Sequence, residues 1–227
     1  MGRTAQSELH SPGSVPGIAD KAPVDLGDLR FRKLLSSEYW HALPASVRAR
    51  FSRRLAASET LVYVGEIVEV KMNVAGRLLA QLARLIGAPL PRSANSRGPS
   101  VVAVTEDEAT GGQMWTRLYA RPGKFPEVIR SAKLFSGPTG LEEYVGCGVG
   151  MALTVGVQNG SLQFRSAGYF VRVSGRRIAI PGWLTPGRLT VSHTDLGDGR
   201  FTFTLEILHP LFGLLIRQAA IFREAVT

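Results

Sequence analysis

Two periodicities divide the chain. Between Leu29 and Phe51 apolar residues fall at helical spacing: Leu29, Leu34, Leu35 and Trp40 precede a break at Pro44, and Val47 and Phe51 follow it. That spacing gives each segment one apolar stripe, so two short helices are predicted before any strand. The run LVYVGEIVEVK, from Leu61, is β-rich and predicts a first strand, with Glu66 and Glu69 on opposite faces by the two-residue period. Helical spacing returns over Val74–Ile86. There Val74, Leu78, Leu82 and Leu85 share one stripe and Arg77, Gln81 and Arg84 another, and Gly87 and Pro89 stop the helix.

From Ser100 onward the period is two. A hairpin is predicted with its turn near Gly111 and Gly112, then a strand over FPEVIRSAKLF. Turn signals recur at Asn159-Gly160, at Ser174-Gly175 and at Gly197–Gly199, each between alternating apolar runs. This punctuation predicts an antiparallel meander.

The stretch EYVGCGVGMALTVGVQNG resembles a phosphate-binding glycine loop at first sight. From Val145 to Val157, however, every odd position is apolar and every even one is small, which is strand alternation. A dinucleotide loop needs G-x-G-x-x-G between a strand and a helix; here the third glycine comes one residue early and a hairpin turn follows. With Asn159-Gly160 as a two-residue turn, Tyr169 is expected opposite Gly150, Val171 opposite Gly148 and Arg165 opposite Thr154. Large side chains then lean over vacant neighbours and the sheet bends sharply. The expected class is α+β: a large, strongly curved, barrel-like antiparallel sheet of about seven to nine strands, two N-terminal helices, and one helix inserted after the first strand. The concave side is either filled by protein or left as a pocket for an apolar ligand.

Residues 1–25, rich in Pro, Gly and Ser, read as a disordered leader without the apolar core of a signal peptide, and 26–227 as one domain. No apolar run reaches the roughly 18–20 residues that span a bilayer, although peripheral membrane contact stays open. The lone Cys147 is expected to be a small buried hydrophobe, in keeping with a reducing bacterial cytoplasm. Lys and Arg outnumber Asp and Glu by 27 to 18, a bias toward phosphate, anionic lipid or acidic partners. Arg48, Arg50, Arg53 and Arg54 form the densest basic cluster, readable as an anion-binding patch or as a solvated helix face.

Several chemistries find no support. His10, His41, His193 and His209 accompany no nucleophile elbow, and His193 with Asp195 lacks a third ligand, so neither a triad nor a metal site is expected. Glu106, Asp107 and Glu108 read as solvated turn charges, as do Glu142 and Glu143. The basic residues are scattered without a nucleic-acid-binding signature, so nucleic acid is not favoured as a partner. No cofactor is expected. What stands out is aromatic and cationic: Trp115, Arg117 and Tyr119 alternate on one strand face, and Arg165 and Tyr169 share another across from Gly148 and Gly150. An arginine facing an apolar concavity needs a carboxylate or an anionic ligand group. Facing outward, the same strand would pack its aromatics on a neighbour.

FRKLLSSEYWHALPASVR, WTRLYA, RIAIPGWLTPG and HPLFGLLIRQAAIF together resemble the domain of unknown function 4166 family over roughly Leu29 to Glu224. The resemblance adds Trp183 to the candidate ligand-binding set of Trp115, Arg117, Tyr119, Gly148, Gly150, Arg165 and Tyr169. With the alternation of Ile216, Gln218, Ala220 and Phe222, it also favours strand over helix for the tail. Phe51 stands where the family pattern implies a His, so a role for that His is not carried over. The resemblance further implies an accessory role beside a saccharopine-dehydrogenase-like oxidoreductase, which would have to be a separate polypeptide. Three functions follow in order: a non-catalytic module for an apolar or lipid-like ligand with an anionic head, an accessory domain of such an oxidoreductase, and an enzyme of unknown reaction.

Overall fold

The computed structural model describes residues 27–56, 58–87, 90 and 97–225. The predicted leader, 1–25, lies outside the described residues. Eleven strands form one antiparallel sheet: β1 (Leu61–Met72), β2 (Gly98–Glu106), β3 (Gln113–Arg121), β4 (Lys124–Leu134), β5 (Glu142–Gly146), β6 (Val149–Gln158), β7 (Ser161–Val173), β8 (Arg176–Ala179), β9 (Arg188–Gly197), β10 (Arg200–His209) and β11 (Gly213–Glu224). Ten of them close on themselves, because β11 pairs with β1 and β7 pairs with β6 and β9, while the short β8 flanks β7. The curved sheet is therefore a closed barrel, and the tail is a strand as expected. Eight strands make a barrel whose interior side chains just fill; ten leave more room than the strands themselves can occupy.

Two more strands are present than the upper end of the seven to nine expected, and the glycine stretch accounts for one of them. Val145–Val157 is not continuous: Cys147 (φ 46°) and Gly148 (φ 75°) form a two-residue turn between β5 and β6. Cys147 is consequently exposed at a hairpin tip rather than buried. The Asn159-Gly160 turn holds, with Gln158 opposite Ser161 and Thr154 opposite Arg165, but a bulge beyond Leu153 shifts the register. Gly150 faces Phe170, not Tyr169, and Val171 pairs with Val149, not Gly148. A second bulge, between Ile67 and Glu69, returns both glutamates of β1 to one face, since Ile67 and Val70 are the buried pair.

Helical pieces close the two ends. A 3-10 turn (Arg32–Leu34), α1 (Ser37–His41) and α2 (Ala45–Phe51) replace the two predicted helices and plug one end. Ser36 caps α1, and Phe31, Trp40, Leu43, Val47 and Phe51 are buried. The Phe51 ring packs 5.8 Å from Phe164 and 5.2 Å from His193. Three members of the basic cluster serve this plug: Arg50 lies 4.0 Å over Phe201, Arg53 bridges Glu59 and Glu224, and Arg54 pairs with Glu106. Glu106, expected in solvent, is buried between Arg54 and Arg30. Glu142 is buried too, held on the outer face by Arg177 (3.0 Å) and the Tyr144 hydroxyl (2.9 Å).

α3 (Val74–Leu85) crosses the other end, its first turn capped by Asn73. Gly76 lies against the Leu215 carbonyl of β11, where a Cβ would clash, and the Ile86 carbonyl lies against Gly146 of β5. The packed side of α3 is mostly small, Gly76 and Ala80 being buried and Ala75 and Leu79 lying against the core. Val74, Leu78, Leu82 and Leu85, the stripe expected to cover the sheet, point to solvent instead. The close backbone approach excludes any side chain at position 76, and Ala75 and Leu79 pack on the core beside it.

Candidate functional site

Inside the barrel, between the α2 plug and α3, a cavity of about 160 Å³ remains. An apolar protein cavity of about 150 Å³ takes up a benzene-sized molecule, so the space suits a ring or a short chain. Its walls differ in character. β7, β9, β10 and β11 supply Phe164, Leu189, Val191, Phe203, Leu205 and Phe222, while α2 contributes Phe51 and β6 Met151. β3, β4 and β5 face them with Trp115, Arg117, Tyr119, Ser131, Lys133 and Glu143.

The polar wall follows from strand register. Gln113 pairs with Lys133 and Trp115 with Ser131 across β3 and β4, and Lys133 pairs with Glu143 across β4 and β5. Three inward positions on adjacent strands therefore carry ionisable or hydroxyl groups. Lys133 Nζ donates to Glu143 Oε1 at 3.1 Å, and both side chains are about a tenth exposed. Arg117 donates from Nη1 to Ser131 Oγ at 3.0 Å and lies 3.9 Å from the same carboxylate. The Lys133 ammonium also sits 4.8 Å over the Trp115 ring. Burial pushes the Lys133 ammonium below the usual lysine range, against the pull of Glu143. For Glu143 burial acts upward, but the Lys133 and Arg117 charges outweigh it and hold the carboxyl below its usual range. Among the described residues of this wall, Lys133 and Arg117 thus both face the Glu143 carboxylate in a largely apolar chamber. The Trp115 Nε1 donor is buried without a partner among the described residues, and the Tyr119 hydroxyl, raised by burial, sits against Gln218.

Of the residues singled out in the sequence, Trp115, Arg117 and Tyr119 line this cavity, and Arg117 faces inward. The other five lie elsewhere. Gly148 is in the β5–β6 turn, and Gly150 is buried under the Phe170 ring on the outer face. Arg165 is exposed and bonded to Gln158 and Gln163. The bulge in β7 takes Tyr169 out of the register inferred for it, and Trp183 is 80% exposed in a 3-10 turn, Gly182–Leu184. Ser131, Lys133 and Glu143 were missed. Their signal was parity: Ile129, Ser131 and Lys133 share one face of β4, and Glu143 shares one with Val145. His193 is fully buried, stacked on Phe201 at 4.7 Å, and burial followed by the Arg50 charge pushes its imidazole down to about 3. It belongs to the core, and no group of three or more metal-ligating side chains is present among the described residues.

The family described as Domain of unknown function (DUF4166) matches residues 43–222. The chain belongs to this family. The match includes α3, β1 to β10 and β11 as far as Phe222, so the polar wall and the apolar wall both lie within the family domain. A search of curated proteins returns no match. Among solved structures the chain is similar to the bifunctional dehydratase-cyclase domain in ambruticin biosynthesis, at 13% identity over 76% of this chain and 93% of that one. The TM-score of 0.22 is too low for that likeness to bear on fold or activity. No helix among the described residues is long and apolar enough to cross a membrane.

Proposed function

We propose that the protein is a binding module that takes an apolar ligand with an anionic head into the barrel. The observation carrying this reading is the charge imbalance among the described residues lining the cavity: Arg117 and Lys133 converge on one carboxylate, that of Glu143. A buried cation without a full complement of anions is costly, and a ligand carboxylate or phosphate supplies the missing charge. Trp115 Nε1 offers a further donor, and the opposite wall offers Phe164, Phe203 and Phe222 for a ring or short chain. The size of the cavity restricts the enclosed part of the ligand to roughly a ring or a short acyl segment. Native mass spectrometry of gently purified protein tests this directly. A copurified small acid, or uptake of added benzoate or octanoate lost in Arg117→Ala, supports the reading; a chamber that takes up neither, or takes them up equally in Arg117→Ala, refutes it.

The enzyme reading stands second, because Lys133 and Glu143 are titratable groups that converge in a cavity and have shifted ionisation. Turnover of a bound acid, detected as a mass change on incubation, distinguishes it from binding alone. The accessory role beside an oxidoreductase rests on the family resemblance and on no residue of the cavity. Pull-down of a reductase by the full chain is its test.

A further inference from the structure

The end of the barrel crossed by α3 is built unlike the rest of the surface. Its parts touch one another: Asn73 donates to the Phe212 carbonyl at 2.9 Å, Gly187 packs on Leu208 and His209, and Ile86 reaches Gly146. Residues 70–87, 145–150, 171–188 and 207–215 make up this continuous face, and they contain seven Lys or Arg and no Asp or Glu; Lys71 and Arg177 pair with Glu69 and Glu142 at its margin, and the other five are Arg77, Arg84, Arg172, Arg176 and Arg188. The same face holds most of the large apolar side chains exposed among the described residues. Val74, Leu78, Leu82 and Leu85 project from α3, at 79, 62, 52 and 79% exposure, while Trp183 and Leu211 project at 80 and 82%. A helix packed on a protein ordinarily turns its large apolar residues inward. α3 turns Gly76, Leu79 and Ala80 inward and Val74, Leu78, Leu82 and Leu85 outward, with Arg77 and Arg84 beside them.

We propose that this face docks on the surface of an anionic lipid bilayer, with α3 lying in the plane of the interface. An apolar helix face, flanking arginines and an exposed tryptophan at headgroup level are the elements such a contact uses. Charge complementarity selects the occupant. A second copy would bring two faces with an excess of arginine together, juxtaposing like charges, whereas an anionic headgroup layer neutralises them. The Arg48–Arg54 cluster is not this surface, since Arg50, Arg53 and Arg54 are engaged in the plug at the opposite end.

Trp183 is a built-in probe, because Trp40 and Trp115 are buried and Trp183 is exposed. The full chain is mixed with vesicles of equimolar phosphatidylglycerol and phosphatidylcholine, and in parallel with phosphatidylcholine alone. The expected result is co-flotation and a blue shift of tryptophan emission with the anionic vesicles only, both reduced by added salt. Trp183→Phe keeps flotation and loses the shift. Leu78→Asp with Leu85→Asp abolishes flotation while the thermal midpoint stays near the parent's, since both positions are exposed. Arg77→Gln and Arg84→Gln each weaken binding about five-fold. The proposal is overturned if the chain does not float, or if the double aspartate variant floats like the parent. Concentration-dependent dimerisation lost in that variant, or binding to polyglutamate, in either case without vesicle binding, overturns it in favour of a second copy or an acidic protein. Neither result bears on uptake of benzoate by the cavity, which is measured without vesicles.

Discussion

Replacing Glu143 by Gln removes the one carboxylate that Lys133 and Arg117 share and leaves the Lys133 ammonium stranded in the barrel. Breaking a buried ion pair on one side costs about 3–5 kcal/mol. The lysine can limit that cost by shedding its proton. At pH 7, neutralising a group whose unfolded-state pKa is about 10.4 costs about 4.6 kcal/mol, at about 1.36 kcal/mol per pH unit. The two figures agree, so the expected loss at pH 7 is about 3–5 kcal/mol. For a chain of this length it corresponds to a fall of about 6–20 °C in the thermal midpoint. The sign of the pH dependence follows: a lysine lowered in the folded state regains stability as pH rises toward the unfolded value, so at pH 9 the cap falls to about 2 kcal/mol. Arg117 retains Ser131 and partial solvent contact. Calorimetric melts of the parent, Glu143→Gln and Glu143→Gln/Lys133→Met at both pH values are the assay. Adding Lys133→Met recovers most of the loss at pH 7. A penalty of equal size at pH 9, or a double variant no more stable than the single one, refutes the view that Lys133 is a buried charge held by Glu143.

Three further outcomes are expected. Because the His193 imidazole is held down to about 3, chiefly by burial, stability falls by about 1.4 kcal/mol per pH unit as pH drops below about 6.5, the unfolded value. His193→Phe removes that slope in urea melts between pH 6.5 and 5, above the range of the carboxylates. A Cβ at Gly150 would meet the Phe170 ring at 2.7 Å, so Gly150→Leu overpacks the outer face and costs at least about 1–3 kcal/mol; an unchanged melt would show that Phe170 moves freely aside. Cys147, exposed at a turn tip, reacts with a thiol reagent in the native state as fast as it does in denaturant, which a buried thiol would not.

The barrel was legible because its evidence is local. Alternation, Asn-Gly and Asp-Gly turns and the register at Asn159-Gly160 depend on residues within one hairpin, and these predicted the antiparallel order that the structure has. What was not legible depends on an extra residue or a distant contact. The bulge in β7 is invisible to a period-two reading, yet it moves Tyr169 off Gly150 and puts Phe170 there. α3 reads as an amphipathic helix whichever way it faces, and its orientation is decided by the Leu215 carbonyl, which only Gly76 can approach. Trp115, Arg117 and Tyr119 were found because three notable side chains share one short strand. Lys133 and Glu143 were passed over because each looks like an ordinary surface charge until β4 and β5 are paired and closure of the barrel turns that face inward.

The central claim, that the barrel interior selects an apolar ligand by its negative charge, is tested most directly by calorimetric titration at pH 7 of benzoate against benzamide, a neutral molecule of the same shape. The account predicts heat and saturable binding for benzoate, little for benzamide, and loss of the difference in Arg117→Ala. Equal binding of the two, or a preference for benzamide, would contradict it.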